Sequence, residues 1–389
     1  MSLPSDSQGA TNNSENEKKT ILLNAFDIFG SGMLSPGERR LLCALSGRHT
    51  RRLRHLWGRH RRDNQTGYSI SRVGPINSRR CCHAAATKRL SFAITSSTSH
   101  EPPFLLARRF STLDHITNGR FGRNIVTGWK KSAFQAIGLD EAIDHDLRYE
   151  RSEEYLRVLY KLWEGSWADD AVVQDIENDI YADPNRVRTI KHEGKFYKMT
   201  SKHMVPPSPQ RTPFLFQVGT SSAGVNFAST HAEAAFVGGN TPSQTAAKVA
   251  KLRAAVAEKG RDPHSLKVFI SLCPVLGETD EEARTKLEEQ KKYASVVGGL
   301  VHISGVTGID LSKVPLDDEL SAADAGQSQI RKHVVELLVP ELRRRGIYAE
   351  PSKESLTTRE QVYEKGRRSL DGGHVGSRYK YAVYRENLP

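Results

Sequence analysis

Apolar residues along the chain alternate between short unbroken runs and longer stretches with helical spacing, the pattern of βα units around a parallel sheet. Ile21 to Phe29 is a mostly unbroken apolar run that suits a buried parallel strand, and residues 30–37 follow as turn material. Leu90 to Ser97, Arg120 to Thr127, Pro213 to Val218, Ala234 to Val237 and Leu266 to Val275 read as further strands. Helices are expected over Pro103 to Leu113, opened by a proline, and over Arg148 to Trp163, where Tyr155, Leu156, Leu159, Tyr160 and Trp163 share one face. Ala223 to His231, Thr241 to Lys259, Asp280 to Tyr293 and His333 to Arg345 complete the helical set. The expected fold class is α/β, a (β/α)8 barrel of the TIM type, incomplete, with six of its eight strands recognisable. One gap coincides with an arginine-rich stretch at 38–89. The other lies near Leu320 to Ile330, where a helix follows without the strand that should precede it.

Composition narrows this picture. With 389 residues, 37% hydrophobic and 26% charged, the chain can bury one large α/β core or two smaller ones. Its apolar runs fall far short of the roughly 18 residues that span a bilayer, so no membrane association is expected. Residues 1–19 read as a polar, disordered leader with no targeting pattern, which implies a cytoplasmic protein. Cys43, Cys81, Cys82 and Cys273 form neither a disulfide framework nor a C-x-x-C half-site, and the nearby His49, His55, His60 and His83 match no zinc module, so no metal is expected. The net charge of +12 would suggest a nucleic-acid partner, but it is confined to residues 36–90. Outside that stretch basic and acidic residues balance. Only Trp57 and Tyr68 are available there to stack on bases, which leaves nucleic-acid binding the weakest reading. The domain expectation is a single barrel over 20–350, interrupted at 38–89 and shortened near 320–330, with a C-terminal tail at 351–389.

The stretch PSPQRTPFLFQVGTSSAG (207–224) carries the most chemistry. A strand runs into small hydroxyl residues and exposed amides at a helix start, where a phosphate can meet backbone donors and the helix dipole. It is not a Walker A loop, because Val225 and Asn226 stand where Lys and Ser or Thr are needed, and Ala223 rules out a G-x-S-x-G nucleophile elbow. A plain helix cap, with serines satisfying backbone amides, explains the same residues.

Five blocks in order, LLARRFSTLDHITNGRFGRNIVTG (105–128), GLDEAIDHDLRYERSEEYLRVLYKLWEGSW (138–167), HEGKFYKM (192–199), PSPQRTPFLFQVGTSSAG and VTGIDLS (306–312), together resemble the bacterial-luciferase-like FMN-dependent monooxygenases. The branch is that of the nitrilotriacetate, dibenzothiophene-sulfone and long-chain alkane monooxygenases. The resemblance implies reduced FMN as cofactor, O2 as co-substrate, a small organic substrate and a separate NAD(P)H:flavin reductase, in keeping with the absence of a G-x-G-x-x-G fingerprint. A homo-oligomer is open. Carried over residue by residue, Asn124 and more weakly Thr98 correspond to isoalloxazine contacts, His145 and Tyr149 to the ribityl-phosphate side, and Ser221 with Ser222 to the phosphate. His145 and Tyr149, four residues apart, can act from one helical face. No catalytic residue is assigned. Two departures stand out: Arg123 replaces a tryptophan of the family, expected beside the flavin, and His100-Glu101-Pro102-Pro103 lacks the family's histidine. The alternative is therefore a catalytically inactive relative whose reading frame carries foreign sequence at 38–89.

Overall fold

Five of the apolar runs become five parallel strands of one sheet. The computed structural model describes residues 87–128, 131–218, 221–238, 241–270, 275–291, 339–346 and 354–384. The strand expected at Ile21 to Phe29, nearly all of the arginine-rich stretch and the gap near 320–330 lie outside the described residues. In chain order the elements are β1 (Phe92–Ser97), α1 (Pro103–Ile116), β2 (Phe121–Val126), α2 (Lys131–Gln135), α3 (His145–Gly165), a hairpin of β3 (Val172–Asp175) and β4 (Ile180–Ala182), and a second hairpin of β5 (Ile190–Glu193) and β6 (Lys198–Ser201). There follow β7 (Phe214–Val218), α4 (Ser222–His231), β8 (Ala234–Val237), α5 (Pro242–Glu258) and β9 (Lys267–Ile270). The sheet order is β1-β2-β7-β8-β9 with every neighbouring pair parallel, as a barrel of βα units requires.

Two-residue periodicity divides this sheet into two faces. Phe92, Ile94, Phe121, Ile125 and Leu215 point to a helix layer, where they pack with Leu106 and Phe110 of α1 and Tyr155, Leu156 and Leu159 of α3. The apolar stripe expected on α3 is this buried face. On the other side Ala93, Phe214, Phe216, Ala234, Phe236 and Phe269 form a separate cluster, the inner face. A third cluster joins α4 and α5 through Ala228, Leu252 and Val256 to Ala235 and Val237 of β8. The caps are local: Asp144 accepts from the amides of Asp146 and Leu147 to start α3, and Thr241 accepts from Gln244 to start α5.

The stretch expected as a C-terminal tail is, over 354–384, part of this core. Its short helix α8 (Thr358–Val362) opens with a capping box between Thr357 and Glu360. Arg359, fully buried, donates to both carboxylate oxygens of Glu233 at 2.6 and 2.8 Å and to the carbonyl oxygens of Thr212 at 3.0 Å and Arg368 at 2.6 Å. Thr212 precedes β7 and Glu233 precedes β8, so the segment is locked to the end of the sheet where strands begin. Thr358 also donates its amide to Gly119 just ahead of β2, and Gly119, at φ +76°, has no room for a side chain against Thr357. A buried arginine amid polar neighbours gives no apolar signal, so the sequence pattern passes over this contact.

The chain divides into two units, and the described residues of the other are 275–291 and 339–346. There α6 (Asp280–Lys291) begins with Asp280, Glu281 and Glu282, acids that suit a helix N-terminus, and Lys286 pairs with Glu282 at 2.6 Å. The helix expected from His333 is described over its last turns as α7 (Val339–Arg344).

Two outcomes test this packing. Arg359→Met leaves Glu233 buried without its cation, and a loss of about 3–5 kcal/mol is expected from urea unfolding; a loss below about 1 kcal/mol would mean that the pair behaves as a surface one. His203 and His374 are both buried, and burial lowers each to a pKa of about 4. The unfolded chain takes up their protons at higher pH than the folded one, so their contribution is complete above the unfolded pKa and is lost as pH falls from about 6.5 towards 4. Acidification from neutral pH to about 4 therefore costs the fold about 3 kcal/mol for each histidine, and unfolding midpoints measured across that window should fall more gently in His374→Gln.

Candidate active site

Asn124 sits on the inner face of β2, in register with Thr95 of β1 and Phe216 of β7. Its Nδ2 donates to Thr95 Oγ1 at 3.0 Å, while its Oδ1 is enclosed and has no partner, in a residue only 6% exposed. A buried acceptor left unpaired costs about 1–3 kcal/mol, which a ligand N–H would recover.

Thr98, one residue past β1, falls on the opposite face. Its hydroxyl lies 2.5 Å from Ser152 Oγ of α3. Ser152 donates to the carbonyl of Arg148 at 2.7 Å, so the proton between the two hydroxyls comes from Thr98. Thr98 is thus closed onto the helix layer and is the least ligand-facing of the six candidates.

His145 and Tyr149 occupy the first two turns of α3, their rings 5.2 Å apart, with His145 Nδ1 2.7 Å from Asp146 Oδ1 at the surface. Tyr149 in turn lies 5.8 Å from the ring of Phe227 in α4. Ser221 is the N-cap of α4 and accepts from the Gly224 amide at 3.1 Å; Ser222 is the first helical residue and is exposed. Tyr149 thus meets α4 at its middle, through Phe227, while Ser221 and Ser222 stand at that helix's start.

Side chains missed in the sequence reading hold this end together. Ser152 extends the spacing of His145 and Tyr149 along one helical face, and that spacing was the signal available for it. Glu154 accepts from the amides of Phe196 and Tyr197 and meets His192 Nε2 at 3.1 Å, which docks the β5–β6 hairpin on α3. Tyr197 of that hairpin donates to the Thr98 carbonyl at 3.4 Å. The block HEGKFYKM is this hairpin, too short and polar to show a clear period. His100, beside the turn after β1, packs edge-on to Phe134 at 5.2 Å with its Nε2 enclosed and unpartnered, and burial holds the ring towards its neutral form.

Arg123 requires a correction. Alternation that turns Asn124 to the inner face turns Arg123 to the helix layer, away from the mouth. There it is 0% exposed, donates from Nε to Ser96 Oγ at 2.9 Å, and lies 5.4 Å from the ring of Tyr155 and 6.0 Å from that of Phe110. Its terminal nitrogens have no hydrogen-bond partner, and burial lowers its pKa. The cation stands in core packing and does not line the inner face.

Among the described residues no group of three or more His, Cys, Asp or Glu side chains could hold a metal, and no helix is long and apolar enough to cross a membrane. A family model for luciferase-like monooxygenases matches residues 81–337. The long-chain alkane monooxygenase of Geobacillus thermodenitrificans (strain NG80-2) is 38% identical over 343 residues, covering 76% of this chain and 78% of that protein. The dimethyl-sulfide monooxygenase of Hyphomicrobium sulfonivorans is 42% identical over 241 residues, covering 62% of this chain. The dibenzothiophene-sulfone monooxygenase of Rhodococcus erythropolis is 36% identical over 234 residues and 60% of this chain. The chain spans about half the length of these last two relatives. Among solved structures, long-chain alkane monooxygenase (LadA) superposes with a TM-score of 0.74 at 37% identity, covering 78% of this chain and 81% of the other. Riboflavin lyase (RcaE), solved with modified FMN and riboflavin, gives 0.71 at 27% identity with the same coverage.

Arg123→Met should raise stability by about 1–4 kcal/mol, since it removes an uncompensated buried charge at similar volume. Thermal unfolding checks this, and a lowered midpoint would show that the guanidinium is better paired than its geometry indicates.

Proposed function

The chain belongs to the luciferase-like monooxygenase family, and from that premise we propose that it uses reduced FMN and O2 to oxygenate a small organic substrate. The observation that carries this reading is the enclosed, unpartnered Oδ1 of Asn124 at the strand-exit half of β2. The pyrimidine edge of an isoalloxazine ring presents the N–H that this acceptor lacks. At the same end, the start of α4 supplies a helix dipole and first-turn amides that no intrahelical carbonyl reaches, a suitable seat for one phosphate. Ser221 and Ser222 add hydroxyl groups there, and His145 with Tyr149 flanks the ribityl side. One helix terminus fits the single phosphate of FMN better than a dinucleotide, which favours FMN over FAD. When bound, the reduced flavin supplies the electrons that activate oxygen, and a separate NAD(P)H:flavin reductase restores it.

The substrate follows from the inner face above Asn124. Val218, Phe236 and Phe269 stand there in one register row, with Val126 on the same side of β2. This surface suits an apolar substrate, of alkane or sulfide type, better than a polyanionic chelate. A second reading, an enzyme that releases peroxide in place of oxygenated product, is favoured by the exposure of Thr95 and of Val218, 47% exposed, which admit water to the mouth.

Anaerobic titration should give tighter binding of reduced FMN than of reduced FAD, and Asn124→Ala should weaken FMN by about fivefold, the worth of a hydrogen bond near 1 kcal/mol. Tighter FAD binding would overturn the cofactor assignment. With an added reductase, product formed in step with oxygen consumption on apolar substrates supports the oxygenase reading, and peroxide without product supports the second.

A further inference from the structure

The rings of His145 and Tyr149 are the first members of a series that does not stop at the candidate site. Tyr149 is 5.8 Å from Phe227, Phe227 is 4.7 Å from His231, and His231 is stacked on Tyr160 at 5.8 Å. Tyr160 is stacked on Tyr379 at 5.9 Å, and Tyr379 is half-buried. The series thus crosses the α3–α4 interface from the strand-exit end and leaves the core at the C-terminal segment. Packing alone explains two or three rings in contact. It does not explain why the central tyrosine has a proton acceptor with its own counter-ion.

Tyr160, fully buried, lies with its hydroxyl 3.1 Å from Nδ1 of His231. Nε2 of His231 lies 2.7 Å from Glu153 Oε2, and His231 holds the Glu153 carboxyl below the usual range against the opposing effect of burial. An ionised carboxylate only accepts, so Nε2 carries a ring proton towards Glu153. The Nε2–H tautomer leaves Nδ1 to accept from the Tyr160 hydroxyl. This arrangement is what one-electron oxidation of a buried tyrosine needs. A phenol cation is a very strong acid, and loss of an electron without loss of the proton is prohibitive in a medium that penalises charge. Here the electron can leave while the proton moves along an existing hydrogen bond to His231, and Glu153 balances the imidazolium that forms.

We propose that Tyr149, Tyr160 and Tyr379, bridged by Phe227 and His231, form a hole-transfer path that carries oxidising equivalents from the candidate site to the protein surface. The donor of the hole is a one-electron oxidant of the reactive-oxygen class, produced when oxygen activation at the site is not consumed by substrate; in this the inference rests on the proposed function. The oxidant takes an electron and the phenolic proton from Tyr149. Tyr149 recovers the electron from Tyr160 and a proton from solvent, and the Tyr160 proton passes to Nδ1 of His231. Tyr379 then returns an electron to Tyr160, whose proton comes back from His231, and gives its own phenolic proton to solvent; a soluble thiol restores an electron and a proton to Tyr379 at the surface. The net change is one electron and one proton from the thiol to the oxidant. An open mouth makes such an outlet useful, because it spares His145 and the other site residues from oxidation.

The path can be tested without flavin, so that its failure is distinguishable from failure of the cofactor assignment. In the full chain, with its four native cysteines replaced by serine, His145→Cys carries a covalently attached ruthenium photo-oxidant. A laser flash with a soluble quencher then injects a hole beside Tyr149, and transient absorption follows the neutral tyrosyl radical. A slow, long-lived tyrosyl phase is expected, its decay accelerated by added thiol. Tyr160→Phe should abolish that phase, and Tyr379→Phe should keep the radical but remove its response to thiol. If Tyr160→Phe does not fold, as judged by circular dichroism, the Tyr379→Phe arm decides the matter. A radical phase unchanged in the folded Tyr160→Phe variant, or thiol sensitivity unchanged in Tyr379→Phe, would overturn the proposal. Binding of FMN, measured separately by titration, reports only on the proposed function.

Discussion

β2 is buried on both faces, and successive residues of a strand must point to opposite sides of the sheet. Everything assigned at the mouth depends on this constraint. It directs Asn124 to the inner face with a free acceptor, and by the same geometry it sends Arg123 into the helix layer. A one-residue change of register would exchange the two, burying an amide among Phe110 and Tyr155 and placing a cation over the inner cluster. The parallel pairing with β1 and β7 holds that register from both sides.

The two ends of the sheet serve different purposes. At the strand-start end Arg359 and Glu233 bind the C-terminal segment to the loops before β7 and β8, with Gln210 and Asp114 hydrogen-bonded beside them. Such a network contributes order and has little access to ligands. At the strand-exit end Asn124 Oδ1 and His100 Nε2 lack partners. This division is the usual one for barrels of parallel strands, whose conserved chemistry collects where strands exit.

Much of the fold was legible because its signals are periodic. Strand runs such as Phe121–Val126 and Phe214–Val218, and the apolar stripe of α3, follow from two- and 3.6-residue spacing without reference to anything distant. The C-terminal contribution was not legible, since Arg359, Thr357 and His374 are polar types whose burial depends on partners more than a hundred residues away. The candidate site was legible in part. Resemblance supplied His145 and Tyr149, which lie in the first turns of α3, and Ser221 and Ser222, which lie at the start of α4. It could not supply the direction of Thr98 or Arg123, which is a property of pleat and register. Ser152, Glu154 and Tyr197 escaped because their role lies in contacts with other elements, not in their spacing alone.

The central claim is that the strand-exit end of this sheet holds FMN. Hydrogen–deuterium exchange of the full chain with and without saturating reduced FMN under anaerobic conditions tests it most directly. Protection is predicted in peptides covering residues 121–128, 145–152 and 221–227, with little change around Gln210, Glu233 and Arg359. Protection centred on those strand-start residues, or none at saturating ligand, would contradict it.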